Sequence, residues 1–229
     1  MSGILYLVAS PIGNLGDISK RCITTLATSD LIACEDTRIT SKLLTHLNLQ
    51  IPLVSYREEN EKSKCLELAD QIQSGKKVSL VSDAGYPCIN DPGFRLVREC
   101  HKRDLKISPI PGPNAALTAL ASSGLPTHQF IYLGFLPKKS AQVLKIFQQW
   151  MSFDGSLVLY ESKYKIDKTL ATIEELMGSD RYICLARELT KSHESILTGP
   201  VCRIIEKQSK ASGKGEFTLI IAPKGFSFH

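Results

Sequence analysis

A chain of 229 residues, 43% hydrophobic and 22% charged, has the composition of a folded globular protein, enough for one large domain or two small ones, and unlike disordered or fibrous chains. Its seven cysteines (Cys22, Cys34, Cys65, Cys88, Cys100, Cys184, Cys202) are odd in number and lack the close pairs of a zinc site, so they read as reduced thiols in a reducing compartment. The formal charge of +5 is uneven, +1 over residues 1–137 (14 Lys+Arg, 13 Asp+Glu) and +4 over 138–229 (14 against 10), so the second half either invites an anionic partner or is a basic solvated surface.

Residues 1–9 are apolar without a basic flank, and no apolar run reaches about 18 residues, so they read as the buried first strand of a cytoplasmic protein with no membrane segment. After that strand (residues 4–9), short β-branched runs alternate with helix-period stretches. The reading is a helix over 19–28, a strand over 31–34, a helix over 40–47, a strand over 53–55, a charged helix over 58–75 and a strand over 77–81. Asp91-Pro92-Gly93 opens a helix reaching residue 103, and a strand over 105–110 stops at Pro111-Gly112-Pro113. This dense breaker is the expected boundary between two domains, 1–111 and 112–229. Beyond it come a small-residue helix (114–123), a strand (129–133), a basic amphipathic helix (140–151) and strands at 156–160, 182–186 and 216–222. Residues 207–215 read as a mobile hairpin connection. The rhythm is that of an α/β protein, and a ligand in a pair of α/β domains is expected in the cleft between them, against loops leaving the carboxyl ends of the strands.

Five such segments carry candidate chemistry. Loop one, residues 10–17 (Ser-Pro-Ile-Gly-Asn-Leu-Gly-Asp), lets backbone approach a small molecule, and is equally a plain strand-to-helix turn. Loop two, residues 82–93, places Asp83 at a strand end and follows it with Gly85, Pro87, Asp91, Pro92 and Gly93. That makes a stiff wall suited to a polar, partly cationic ligand, although turn chemistry alone could demand the same Gly and Pro residues. Glu35-Asp36-Thr37-Arg38 offers paired carboxylates beside an arginine, fit for a general base or for capping a helix at Thr40. Tyr160-Glu161-Ser162 and Ala186-Arg187-Glu188-Leu189-Thr190-Lys191 also follow strands, and line a cleft or merely satisfy neighbouring charges. No dinucleotide or phosphate-loop glycine motif and no metal-spaced His/Cys cluster occurs, which disfavours nucleotide hydrolysis, dinucleotide redox chemistry and zinc catalysis.

Taken in order, residues 7–15, Glu35-Asp36-Thr37-Arg38, Ser82-Asp83-Ala84-Gly85 with Pro87, Asp91-Pro92-Gly93, Pro111-Gly112-Pro113, Gly134-Phe135-Leu136-Pro137, Tyr160-Glu161-Ser162 and residues 186–191 resemble the ribosomal RNA small-subunit methyltransferase I family, a branch of the tetrapyrrole-methylase superfamily. The resemblance implies a homodimer of two α/β domains, S-adenosylmethionine in the cleft between them, and 2′-O-methylation of a cytidine in small-subunit ribosomal RNA, free or in the small subunit. It implies a cofactor pocket of Pro11, Asp83, Ala84, Gly85, Tyr86, Pro87, Asn114, Ala115, Ala116, Tyr160, Ala186 and Phe217. Five positions depart from the family pattern: Ser10 for Thr, Tyr86 for Thr, Asn114 for Ser, and Lys163-Tyr164 for Pro-His. Many members also carry a further C-terminal segment beyond the point matching Phe228, whose absence bears on RNA affinity and not on cofactor binding.

Methyl transfer to a hydroxyl needs alignment and a proton acceptor. Glu35 and Asp36, with Arg38 orienting them or gripping phosphate, are the candidate catalytic residues, and Asn14 and Asp17 come second. Lys138, Lys139, Lys145, Lys163, Lys165 and Lys191 are candidate RNA phosphate contacts. Two other functions fit the same resemblance: carbon methylation of a porphyrinoid, against which the Ser-Asp-Ala-Gly and Glu-Asp-Thr-Arg motifs speak, and a noncatalytic relative that only binds cofactor or RNA.

Overall fold

The computed structural model describes residues 3–210 and 215–228. The chain forms two compact units, Met1–Asn114 and Ala115–His229.

In the first unit, β1 (Ile4–Val8), β2 (Leu31–Cys34), β3 (Leu53–Ser55), β4 (Lys77–Val81) and β5 (Lys106–Ile110) form one sheet in the order β3-β2-β4-β1-β5, with every neighbouring pair parallel. A parallel sheet is covered on both faces, and alternate residues of β1 show it. Leu5 and Leu7 pack with Leu68, Ala69 and Ile72 of α3 (Glu61–Gln73) and with Leu96 and Cys100 of α4 (Phe94–Lys102). Tyr6 and Val8 pack with Cys22 and Leu26 of α1 (Lys20–Ala27) and Leu44 of α2 (Thr37–His46). The connection leaving β1 therefore crosses one face to reach β2, and that leaving β4 crosses the other to reach β5. Adjacent strands whose connections diverge leave a crevice at their carboxyl ends, the usual ligand position in open α/β sheets.

The second unit has α5 (Ala115–Ser122), β6 (Phe130–Phe135), α6 (Ser140–Trp150), β7 (Ser156–Ser162), α7 (Ile166–Met177), β8 (Tyr182–Arg187), β9 (Ser195–Pro200), α8 (Val201–Ser209) and β10 (Glu216–Ile221). Its sheet is mixed, in the order β6-β7-β10-β8-β9: β6 and β7 are parallel, β10 runs against β7 and β8, and β9 runs against β8. Leu157, Leu159, Leu185, Leu219 and Ile221 turn one face towards Phe147 of α6, Ile166, Leu170 and Ile173 of α7, and Val201 and Ile204 of α8. Tyr160, of opposite parity to Leu159, faces α5.

Helix α2 begins at Thr37, not at Thr40 as expected, because the Asp36 carboxylate caps it. The helix expected from Asp91 begins only at Phe94. Three elements that the sequence reading left out, α7, β9 and α8, complete the second unit. Of the hairpin connection expected over 207–215, residues 207–209 close α8 instead, and 211–214 lie outside the described residues.

Candidate active site

Loops one and two leave the neighbouring strands β1 and β4 and are fastened to each other. Ser10 and Gly85 form an antiparallel bridge: the Ser10 amide donates to the Gly85 carbonyl at 2.9 Å and the Gly85 amide to the Ser10 carbonyl at 3.2 Å. The Ser10 hydroxyl donates to the Ser82 carbonyl (3.0 Å), and the Ser82 hydroxyl to the Gly85 carbonyl (3.1 Å). Gly85 sits at φ +82°, where a side chain would be strained. The bridge sets Pro11 beside the segment Asp83, Ala84, Gly85, Tyr86 and Pro87, of which Ala84 is exposed and Tyr86 half-buried. Burial pushes the Tyr86 phenol up from its ordinary value. The far end of the loop is held from below. The buried Glu61 carboxylate of α3 accepts from the amides of Gly93 (2.9 Å) and Arg95 (3.2 Å) and from the Tyr56 hydroxyl (3.2 Å), so it caps α4. Between these anchors Cys88 and Asn90 take left-handed backbone, φ 71° and 65°, which costs about 1–3 kcal/mol each and concentrates at ligand sites.

At the ends of β2 and β4 the acids divide into two kinds. The Asp83 carboxylate accepts from the Asp36 backbone amide (3.0 Å), tying the Glu35-Asp36-Thr37-Arg38 segment to loop two. Asp36 accepts from the backbone amide of Arg38 (2.8 Å) and is forked by its guanidinium, Nε at 3.0 Å, which holds the carboxyl far below the usual carboxylate range. Glu35, Asp83 and Asp91 move the other way. Burial is the largest cause in each, and mutual repulsion adds to it: Asp83 acts on Glu35, Asp36 on Asp83, and Glu35 then Asp83 on Asp91. Asp91 is pushed up to about 6, with the Ser82 hydroxyl pulling back. Arg57 donates from Nε to the Glu35 carbonyl (3.0 Å), and its charge favours ionisation of Glu35 and Asp83. Asp91, Arg57, Ser82 and Glu61 stand outside the sequence-derived site. Asp91 was legible as the second acid of loop two, whereas Glu61 and Arg57 carry no motif.

Asn14 and Asp17 are exposed on loop one. The Asn14 side chain accepts from the Gly16 amide (2.9 Å), capping a single 3-10 turn over Leu15–Asp17. Among the described residues, neither is hydrogen-bonded to Glu35 or Asp83.

In the second unit the expected cofactor residues gather on one side of the sheet. Asn114 ends the first unit, and Ala115 and Ala116 open α5, where the Ala116 amide donates to the Tyr160 hydroxyl (3.2 Å). Tyr160 and Ala186 lie across from Thr218, which is buried between them and which the motifs did not indicate. Phe217 differs: its side chain belongs to the core under α7. Glu161 is likewise structural, accepting from the Ser162 amide (2.8 Å) and the Thr169 hydroxyl (2.9 Å). Of the candidate RNA contacts, Lys138, Lys139, Lys145 and Lys163 are exposed. Lys165 donates to the Leu136 carbonyl (3.1 Å), and Lys191 is paired with Glu188 (3.0 Å) and Glu216 (2.8 Å), so both already have partners.

The family model of the tetrapyrrole (corrin/porphyrin) methylases matches residues 4–204. The chain belongs to this family. Within it the chain is similar to proteins named ribosomal RNA small subunit methyltransferase I. One, from Synechocystis sp., is 43% identical over 220 residues, covering 96% of this chain and 79% of the relative. Another, from Halalkalibacterium halodurans, is 43% identical over 223 residues, covering 97% and 77%. Among solved structures, a diphthine synthase superposes with a TM-score of 0.77 at 16% identity, covering 99% of this chain and 92% of that one, a likeness of fold. As a tetrapyrrole methylase the protein is an S-adenosylmethionine-dependent methyltransferase. The donor set fits that cofactor: loop one and loop two present backbone for an adenosyl group, and three mutually repelling carboxylates favour a ligand with cationic centres.

Proposed function

We propose that this tetrapyrrole methylase methylates the ribose 2′-hydroxyl of a cytidine in small-subunit ribosomal RNA, as a cytoplasmic homodimer with residues 1–111 and 112–229 as its two domains. The observation that carries the chemistry is the group of Glu35, Asp83 and Asp91, three acids of raised proton affinity at the carboxyl ends of β2 and β4. The substrate class is supported by the 43% identity to the relatives named for ribosomal RNA. The division into two compact units after Asn114 supports the domain assignment.

Bound S-adenosylmethionine supplies an electrophilic methyl group. The protein's tasks are to align the acceptor and remove its proton. In this reading Glu35 takes the hydroxyl proton, since a carboxylate whose proton affinity is raised is the stronger base. Asp83 keeps the Glu35-Asp36 turn in place through its bond to the Asp36 amide. Asp36 is held ionised on Arg38 and caps α2, so it orients and does not accept a proton. Arg38, whose side chain is 83% exposed, is available to a phosphate. Pro11, Asp83, Ala84, Gly85, Tyr86 and Pro87 from the first unit, and Asn114, Ala115, Ala116, Tyr160 and Ala186, are the proposed cofactor contacts, with Phe217 contributing through its backbone.

The test is transfer of labelled methyl to small ribosomal subunits that lack the modification, with a porphyrinoid precursor as parallel acceptor. Label on an RNA ribose is expected. Label on the porphyrinoid alone moves the activity to carbon methylation, and cofactor binding with label on neither identifies a noncatalytic relative.

A further inference from the structure

The sheet edge that carries the carboxyl ends of β6 and β7 exposes two aromatic rings beside exposed lysines. Phe135 closes β6 and is 58% exposed, leaning against Tyr160 with ring centroids 5.4 Å apart. Tyr164, directly beyond β7, is 84% exposed, the most exposed of the large hydrophobic side chains among the described residues. The only ring contact it makes there is with the Lys163 ammonium, 4.8 Å from its centroid. The two strands are parallel neighbours, Phe135 opposite Tyr160, so the segments that follow them run side by side. Lys165 fastens one to the other by donating to the Leu136 carbonyl (3.1 Å), and Lys168 reaches Ser140 (2.8 Å). Lys138, Lys139 and Lys163 stay exposed, and residues 136–140 and 162–166 contain no acid.

A tyrosine held this far into solvent contributes little to the fold. An exposed ring flanked by lysines, on a segment pinned at its base, has the properties of a stacking platform: a π-face for a base and ammonium groups for the adjoining phosphates. Duplex RNA hides its bases within the stack and offers such a ring nothing but its outer surface.

We propose that Tyr164, with Phe135 beside it, stacks on unpaired bases next to the methylated nucleotide, while Lys138, Lys139 and Lys163 hold the flanking phosphates. The inference rests on the ribosomal RNA reading above and adds to it a preference for single-stranded RNA around the target.

Binding of the protein to a fluorescent single-stranded oligoribonucleotide and to the duplex of the same sequence tests it, alongside methyl transfer to small ribosomal subunits. Tyr164→Ala should weaken single-strand binding about tenfold, as loss of one stacked base does, and leave duplex binding within about twofold. Tyr164→Trp should restore it. In the transfer assay the loss should fall on KM for the subunit with kcat nearly unchanged, and cofactor affinity and melting temperature should match the parent. Equal binding of parent and Tyr164→Ala to the single strand, with the parent still labelling ribosomal RNA, overturns the stacking role and leaves the methylation reading standing. Absence of label from the parent overturns both.

Discussion

Glu35 and Asp36 are neighbours in the chain and opposites in electrostatics. Asp36 is bound by the Arg38 guanidinium and backbone, whereas Glu35 is desolvated and repelled by Asp83. The sequence reading grouped both as candidate bases, since the motif shows residue types and not which carboxylate an arginine has claimed. Glu35→Gln is expected to lower turnover by about a hundredfold or more, the scale of a lost general base, with cofactor affinity preserved. Asp36→Ala should instead show in melting, at about 1 kcal/mol for a lost helix cap. If Glu35→Gln retained parental turnover, Glu35 would not be the proton acceptor. Asp91 allows a test that needs no substrate. Its carboxyl rises from an ordinary 3.8 to about 6 in the folded chain, so the fold binds that proton more tightly than the unfolded chain does. The resulting stability is fully present below pH 4 and is lost as pH rises towards and through 6. Asp91→Asn, which cannot ionise, should raise the melting temperature by a few degrees at pH 8 and leave it nearly unchanged at pH 4. An equal shift at both pH values would exclude charge burial as the cause.

At the scale of elements, loop two was legible as a stiff, ligand-facing wall, but what stiffens it was not. Its glycines and prolines announce turns, while the Ser10 to Gly85 bridge and the Glu61 carboxylate that caps α4 come from distant segments without any motif. Gly93 joins the two descriptions. It sits at φ +144°, and an added Cβ would collide with Cys88 and come within 2.7 Å of Leu80 Cδ2. Gly93→Ala is therefore expected to destabilise the first unit by about 2–4 kcal/mol, through a forbidden conformation together with an overpacked core. A chemical-denaturation midpoint equal to the parent's would mean that the loop relaxes freely and is not the rigid wall inferred here. Regular, strongly patterned elements were read to within a residue or two: β2, β3 and β4 fall where the apolar runs place them. Two of the three missed elements, β9 and α8, share a cause. Strand β9 is an edge strand ending in Gly199-Pro200, and α8 starts on that same proline and runs into a Lys-Ser stretch that looks like loop. Local composition argued for a break, and packing of Val201 and Ile204 into the core overrode it.

For the whole molecule, charge separates with architecture. No charged residue lies between Lys106 and Lys138, so the division after Asn114 keeps the sequence's split of +1 and +4. The acids of raised proton affinity (Glu35, Asp83, Asp91) belong to the first unit and the exposed lysines proposed for RNA to the second. One unit thus has the electrostatics for a cationic cofactor, the other for a polyanion. The sequence expectation of six phosphate-binding lysines shrinks once side-chain partners are known, because Lys165 and Lys191 are engaged within the protein. Four remain exposed, Lys138, Lys139, Lys145 and Lys163. Each phosphate neutralised on single-stranded RNA releases about 0.7 of a counterion, so four contacts give a slope of about −3 in log affinity against log salt concentration. Replacing Lys138 and Lys139 together by glutamine should flatten that slope to about −1.5 and weaken binding at low salt more than at high salt. Replacing Lys165 should leave the slope where it was. A parental slope near zero would remove the lysines from RNA binding altogether, and a slope that falls equally with Lys165 would mean that the internal bond to Leu136 opens when RNA arrives.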